Sequence, residues 1–187
     1  MEKFDNVSDE QLVSFVLKDQ ENYREVVKRY EHKLYRYIVY LIKDKDKSKD
    51  VLQNTFLKAF INLRGFNQKR KFSSWIYRIA HNEAINEIKK HRKEILSTKK
   101  DLVERRVTSK ENIYKDITDK ETQTIVRKHL EKLPLKYKEP LILYYLEEKT
   151  YREISDILRI SVGGVGTRIN RAKNLMKQIY EKKEKQQ

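Results

Sequence analysis

Apolar residues recur three and four positions apart along most of this chain, and that period predicts helices. Tyr23, Val27, Tyr30, Leu34, Ile38 and Leu41 mark a long helix over about 21–42. Ahead of it, Ser8 and Gln11 form a capping box that opens a short helix running to about Lys18. DKDKS at 44–48 reads as a polar turn. Leu52, Phe56, Ala59, Phe60 and Leu63 then draw the inner face of a third helix. Residues 64–71 form a basic loop containing Gly65. Ser73 or Ser74 is placed to cap a fourth helix, with Trp75, Ile76, Ile79, Ala80, Ile85 and Ile88 as its apolar positions. Four such helices can close one bundle over about 5–93.

The period fades over 94–117, where charges dominate, and this stretch reads as a flexible linker. Thr118 with Glu121 forms another capping box and starts a helix that ends at Leu133-Pro134. A further helix over about 136–147 turns Leu141, Leu143, Tyr144 and Leu146 inward, with Pro140 awkward inside it because proline lacks a backbone donor. The expected fold is all-α: two small helical domains, 5–93 and 118–180, joined by a linker.

The end of the second domain is the most specific stretch. Thr150 and Glu153 form a capping box, Ile154, Ile157 and Leu158 make one short apolar face, and Arg159-Ile160-Ser161 is a turn. Ser161 is a candidate N-cap for a helix whose Val165, Ile169, Ala172, Met176 and Ile179 pack inward. Thr167, Asn170, Arg171 and Asn174 then point outward. A short helix, a tight turn and a second helix showing Thr, Asn and Arg is the geometry that enters a major groove, although an ordinary helical hairpin shares it. Gly163, Gly164 and Gly166 open that helix. Each weakens it by ~1 kcal/mol relative to Ala. In return, bare backbone amides can approach a phosphate at the positive end of the helix dipole.

Charge sharpens this picture. The net charge of +15 and pI near 9.7 favour a polyanionic partner, since each neutralised phosphate releases counterions. The longest apolar runs, 37–42 and 141–146, are far short of a membrane span, so no membrane insertion is expected. The first ten residues are acidic and lack the apolar core of a signal peptide, and the chain has no cysteine; both fit the cytoplasm. His32, His81, His91 and His129 lack zinc spacing, and HExxH, phosphate-loop and Gly-x-Ser-x-Gly patterns are absent. No catalytic residue, metal, cofactor or small-molecule substrate is expected.

A second constellation lies in the basic loop. Phe66, Asn67, Lys69, Arg70, Lys71 and Phe72 mix rings, an amide and cations, which suits an unpaired base stacked on a ring while cations hold its backbone. Asn82, Asn86, Lys89 and Lys90 extend a polar face along the next helix. The alternative is a solvated loop beside a basic helix end.

Both constellations, in this order and spacing, resemble the extracytoplasmic-function (ECF) sigma factors of bacterial RNA polymerase. DVLQNTFLKAF (50–60) is similar to the family's helix that docks on the polymerase β′ clamp. FSSWIYRIAHNEAINEIKK (72–90) is similar to its promoter −10 segment, and residues 133–173 to region 4, which binds the −35 element. The resemblance implies polymerase contacts from Asp50, Gln53 and Asn54. It implies capture of a flipped −10 base by the 66–73 loop, with Asn82 and Asn86 on the adjoining DNA face. It implies −35 contacts from Gly163, Gly166, Thr167, Arg168, Asn170 and Arg171. Three positions depart from the family's pattern: Arg159 stands in a turn that often holds Gly or Asn, Gly164 where Thr is usual, and Gly166 where a basic residue is common. The implied activity is a promoter-specificity subunit for a stress or envelope regulon. Its implied partners are core RNA polymerase (β′ clamp and β flap), promoter DNA and an anti-sigma factor, often held at the membrane. Rival readings are a stand-alone dimeric operator-binding regulator and a basic RNA-binding protein.

Overall fold

The computed structural model describes Phe4, residues 6–98 and residues 130–184. The expected linker and the Thr118–Glu121 cap lie for the most part, or wholly, outside the described residues. Among the described residues seven helices run in order: α1 (Asp9–Lys18), α2 (Tyr23–Ile42), α3 (Lys45–Asn62), α4 (Phe72–Thr98), α5 (Leu135–Tyr145), α6 (Tyr151–Leu158) and α7 (Val162–Glu184), with short 3-10 turns at Gln20–Asn22 and Leu63–Gly65. A helical end at 130–132 precedes α5.

The Ser8–Gln11 and Thr150–Glu153 capping boxes both form. Three expected boundaries move. The polar turn at 44–48 is helical instead, because the Asp44 side chain accepts the Asp46 and Lys47 amides, each at 3.0 Å, and so starts α3 at Lys45. Neither Ser73 nor Ser74 caps α4; the helix already begins at Phe72, whose amide donates to Glu10 Oε1 of α1 at 2.9 Å. α4 also runs five residues past the expected domain end, to Thr98. Pro140 lies buried inside α5, which continues through it. Tyr144 is exposed rather than inward, since the buried face of α5 turns on Lys138–Leu143.

The apolar core of α1–α4 (Leu12, Val16, Leu34, Ile38, Phe56, Ile76, Ala80) is continuous with that of α5–α7 (Ile142, Leu143, Ile154, Ile157, Ile169). A polar seam runs where the two halves meet. Tyr37 of α2, fully buried, donates to Glu139 of α5, and His81 Nδ1 of α4 lies 2.5 Å from the same carboxylate. Tyr77 of α4 donates to Glu147 at 2.6 Å, and Arg36 reaches both Glu147 Oε1 and the Leu146 carbonyl at 2.9 Å. Glu139 is 4 % exposed and Glu147 8 %. Burial first, then the adjacent carboxylates, hold both tyrosine hydroxyls far above the ordinary value of 10.

Lys138 faces the same seam at 5 % exposure and donates to the Tyr40 carbonyl at 3.0 Å. Burial, aided by neighbouring Lys43, lowers its pKa from 10.5 to about 8. Above about pH 8 the folded chain sheds a proton that the unfolded chain keeps, so stability rises with pH from there towards pH 10. Beyond pH 10 the buried tyrosines reverse the trend, since only the unfolded chain ionises them. Urea unfolding is expected to show a gain on the order of 1–3 kcal/mol across that window. Lys138→Met is expected to flatten it.

Candidate nucleic-acid and partner-binding surfaces

The first surface is the exposed side of α7. α6 ends at Arg159, which takes the left-handed conformation at φ 52°, and Ser155 Oγ donates to the Ile160 carbonyl at 2.6 Å, closing the turn. Ser161 caps α7 as expected, accepting the Gly164 amide at 3.0 Å. Val165, Ile169 and Ala172 are fully buried, which turns Thr167, Asn170, Arg171, Lys173 and Asn174 to solvent and leaves Arg168 half-buried. Thr167 Oγ1 donates back to the Gly163 carbonyl at 2.9 Å.

Packing constrains the glycines unequally: a Cβ at Gly164 would come within 3.1 Å of Ser161 Oγ, the hydroxyl that caps the helix. A Cβ at Gly163 would meet open space, and one at Gly166 would sit 3.4 Å from the Tyr151 ring, an ordinary contact. The backbone of the first turn is therefore bare. Ser161 already uses the Gly164 amide, so an incoming phosphate would find the amides before it. Beside this strip, Arg171 and Lys136 hold the Tyr137 hydroxyl below its ordinary pKa, and Lys173 lies 5.7 Å from the Tyr145 ring centre.

The second surface is the loop before α4. Phe66 and Phe72 are 7 % and 1 % exposed, so their rings do not face solvent as the stacking expectation required. They pack edge to face at 5.4 Å, with Trp75 at 5.2 and 5.5 Å and Tyr30 at 5.6 Å from Phe72. The physical reason is that rings at both ends of a short loop gain more by joining the core beneath it than by facing water. Between them Asn67, Lys69, Arg70 and Lys71 are exposed. Asn67 shapes this arch: its Oδ1 accepts the Lys69 amide and its carbonyl the Arg70 amide, each at 2.9 Å. Asn82, Asn86, Lys89 and Lys90 are exposed farther along α4.

The third surface is on α3. Asp50, Gln53 and Asn54 are exposed, and the same stripe continues into Leu57 and Ile61, which are 57 % and 66 % exposed. These two apolar residues were missed in the sequence reading. The signal was present: they lie four apart, out of phase with the buried Leu52, Phe56 and Ala59. A 2.7 Å ion pair between Lys58 and Glu83 pins this helix to α4. Among the described residues no helix is long and apolar enough to cross a membrane.

Comparison with known proteins gives two family matches along the chain. The model of Sigma-70 region 2 matches residues 26–94, and that of Sigma-70 region 4 matches residues 123–176. The ECF RNA polymerase sigma factor SigW of Bacillus subtilis is 30% identical over 166 residues, covering 85% of this chain and 89% of its own length. The ECF RNA polymerase sigma-E factor of Escherichia coli is 30% identical over 177 residues, covering 90% and 92%. The solved structure of CnrH in complex with the cytosolic domain of CnrY shares the fold, with a TM-score of 0.69 at 21% identity over 92% of this chain and 97% of that one.

Glu10 lies outside both matched regions yet holds the start of α4 and thereby the end of the basic loop. Glu10→Ala is expected to lower stability by about 1 kcal/mol and to speed hydrogen exchange at the Phe72 amide. Glu10→Gln, which keeps an acceptor, is expected to retain most of the protection.

Proposed function

This chain belongs to the ECF branch of the sigma-70 family of RNA polymerase sigma factors, and from that premise we propose how its surfaces divide the work of promoter recognition. It is a promoter-specific transcription initiation factor whose region 2 and region 4 domains bind core RNA polymerase and promoter DNA. Sigma factors are non-catalytic, and in our reading this chain performs no covalent chemistry.

In our reading, residues up to 98 hold the polymerase and the melted −10 strand, and 130–180 read the −35 duplex. Asp50, Gln53 and Asn54, with Leu57 and Ile61, form the polymerase contact on α3. The exposed arch Asn67, Lys69, Arg70 and Lys71 grips the −10 strand backbone, and Asn82, Asn86, Lys89 and Lys90 continue that track. Phe66 and Phe72 fix the arch from beneath. On α7, Arg171, Asn170 and Thr167 face base edges, Arg168 holds phosphate, and the bare turn at Gly163–Gly166 lets the backbone approach the duplex.

The observation that carries this division is the exposed stripe on α3. A stand-alone operator-binding dimer has no use for Leu57 and Ile61 in water beside three polar residues, whereas a subunit that docks on a large enzyme does. We also propose an anti-sigma partner and a stress or envelope regulon. Support comes from CnrH, solved with the cytosolic domain of CnrY, and from a Bartonella quintana sigma factor RpoE solved with the anti-sigma factor NepR.

The test is co-elution with core RNA polymerase followed by run-off transcription on a promoter library. Promoter-dependent transcripts are expected only when both proteins are present. Salt-sensitive binding of the free chain to a palindrome, with no polymerase binding, would overturn the division. Leu57→Asp with Ile61→Asp is expected to weaken polymerase binding at least tenfold while leaving the helical circular dichroism unchanged. Arg171→Ala is expected to relax the preference at one −35 base pair by ~1–3 kcal/mol, read from the same library; an equal loss on all sequences would make it a phosphate contact.

A further inference from the structure

A pocket of about 270 Å³ opens where the end of α2, the start of α3 and the middle of α4 meet the start of α5. None of the residues assigned above to polymerase or DNA lines it. Leu41, Ile88, Leu133 and Leu135 give it apolar walls. Charged groups of very different exposure share it: His91 is exposed, Lys47 and Glu87 are half-buried, and Lys138 is 5 % exposed.

The outer charges satisfy one another. The Asp44 side chain accepts the Asp46 and Lys47 amides. The Lys47 ammonium lies 3.5 Å from Glu87 and 3.0 Å from His91 Nδ1. Lys138 differs. Its ammonium donates to the Tyr40 carbonyl, one of the last of α2, and among the described residues no carboxylate lies within ion-pairing distance of it. Glu139, next to it in sequence, is taken up by Tyr37 and His81, and Glu131 lies 3.8 Å from Lys43. Lys43 adds a second positive charge nearby. A buried ammonium has three protons to donate and needs a counter-charge to offset its lost hydration. Here it holds one neutral carbonyl, so what it lacks is an anion.

We infer that this pocket binds a small organic acid with an apolar body, its carboxylate on Lys138 and its chain against Leu41, Ile88, Leu133 and Leu135. The volume equals that of about nine waters at ~30 Å³ each, room for a monocarboxylate of roughly ten non-hydrogen atoms. Inorganic phosphate would leave the apolar walls uncovered, and a neutral chain would leave the ammonium unpaired. Apolar walls with one well-placed polar group are the usual make-up of a small-molecule site. An occupant touches helices of both matched regions, α2 and α4 on one side and α5 on the other. It gives the chain a small-molecule input besides polymerase and promoter.

Octanoate is the probe, and 1-octanol is its uncharged counterpart. Titration of the full-length chain with sodium octanoate, followed by heteronuclear NMR near pH 7, is expected to give saturable shifts confined to the pocket, at Leu41, Ile88 and Leu135. Octanol is expected to bind at least tenfold more weakly. Lys138→Met, which keeps an unbranched side chain of similar reach, is expected to lose at least tenfold in octanoate affinity with unchanged helical circular dichroism. The acid binds the ammonium form of Lys138, whose pKa in the free chain is about 8. Octanoate affinity of the parent is therefore expected to hold from about pH 7 to about pH 8 and to fall towards tenfold per pH unit above.

No saturable binding, octanol as tight as octanoate, an affinity that ignores Lys138→Met, or shifts spread over the basic surface and removed by salt would each overturn the site. If the variant does not fold, the pH series on the parent decides, and an affinity unchanged from about pH 8 to about pH 9 overturns the contact with Lys138. Binding is read without polymerase or promoter, so this site stands or falls apart from the division of surfaces proposed above.

Discussion

Two carboxylates excluded from water govern the arrangement of this molecule. A buried carboxylate is tolerated only with hydrogen-bond donors close by, because the loss of hydration is otherwise several kcal/mol. Glu139 and Glu147 lie on the C-terminal half, and the donors that satisfy them, Tyr37, Tyr77 and Arg36, lie on the N-terminal half. Neither half can complete this network alone. The seam therefore fixes the angle between halves more strictly than apolar contact could, since apolar surfaces slide and hydrogen bonds do not.

The distribution of charge follows from the same arrangement. A chain with a net charge of +15 repels itself when it closes. In the packed chain, acids of the C-terminal half lie against Arg36, Lys71 and Arg78, while the cations of the basic arch and of α7 are left largely at the surface. Cations in excess at the surface are what a polyanion-binding protein needs, and acids at the seam are what let such a protein fold compactly.

The basic arch before α4 shows the same economy at smaller scale. Its two rings are buried with Trp75 and Tyr30, Tyr30 is bonded to Asp9 of α1, and Glu10 of α1 holds the first amide of α4. The short first helix thus fixes the loop from behind while Asn67 shapes it from within. A loop held this way has already lost much of the conformational freedom that binding would otherwise remove.

Helical period and capping chemistry determined most of the elements from the sequence alone, since Ser8–Gln11, Thr150–Glu153 and Ser161 act on amides within three residues of themselves. The same local rules placed Asp50, Gln53, Asn54 and the α7 residues on exposed faces, because a buried stripe such as Val165, Ile169 and Ala172 dictates its opposite. The sequence erred where a partner lay far along the chain. Phe66 and Phe72 looked available for stacking because the rings that bury them come partly from α2. Ser73 and Ser74 looked like caps because the true one, Glu10, is 62 residues away. Tyr37 and Glu139, 102 residues apart, carry no local sign of each other. Local hydrogen bonding and periodicity are written in neighbouring residues; which polar groups share a buried seam is decided only when distant helices pack.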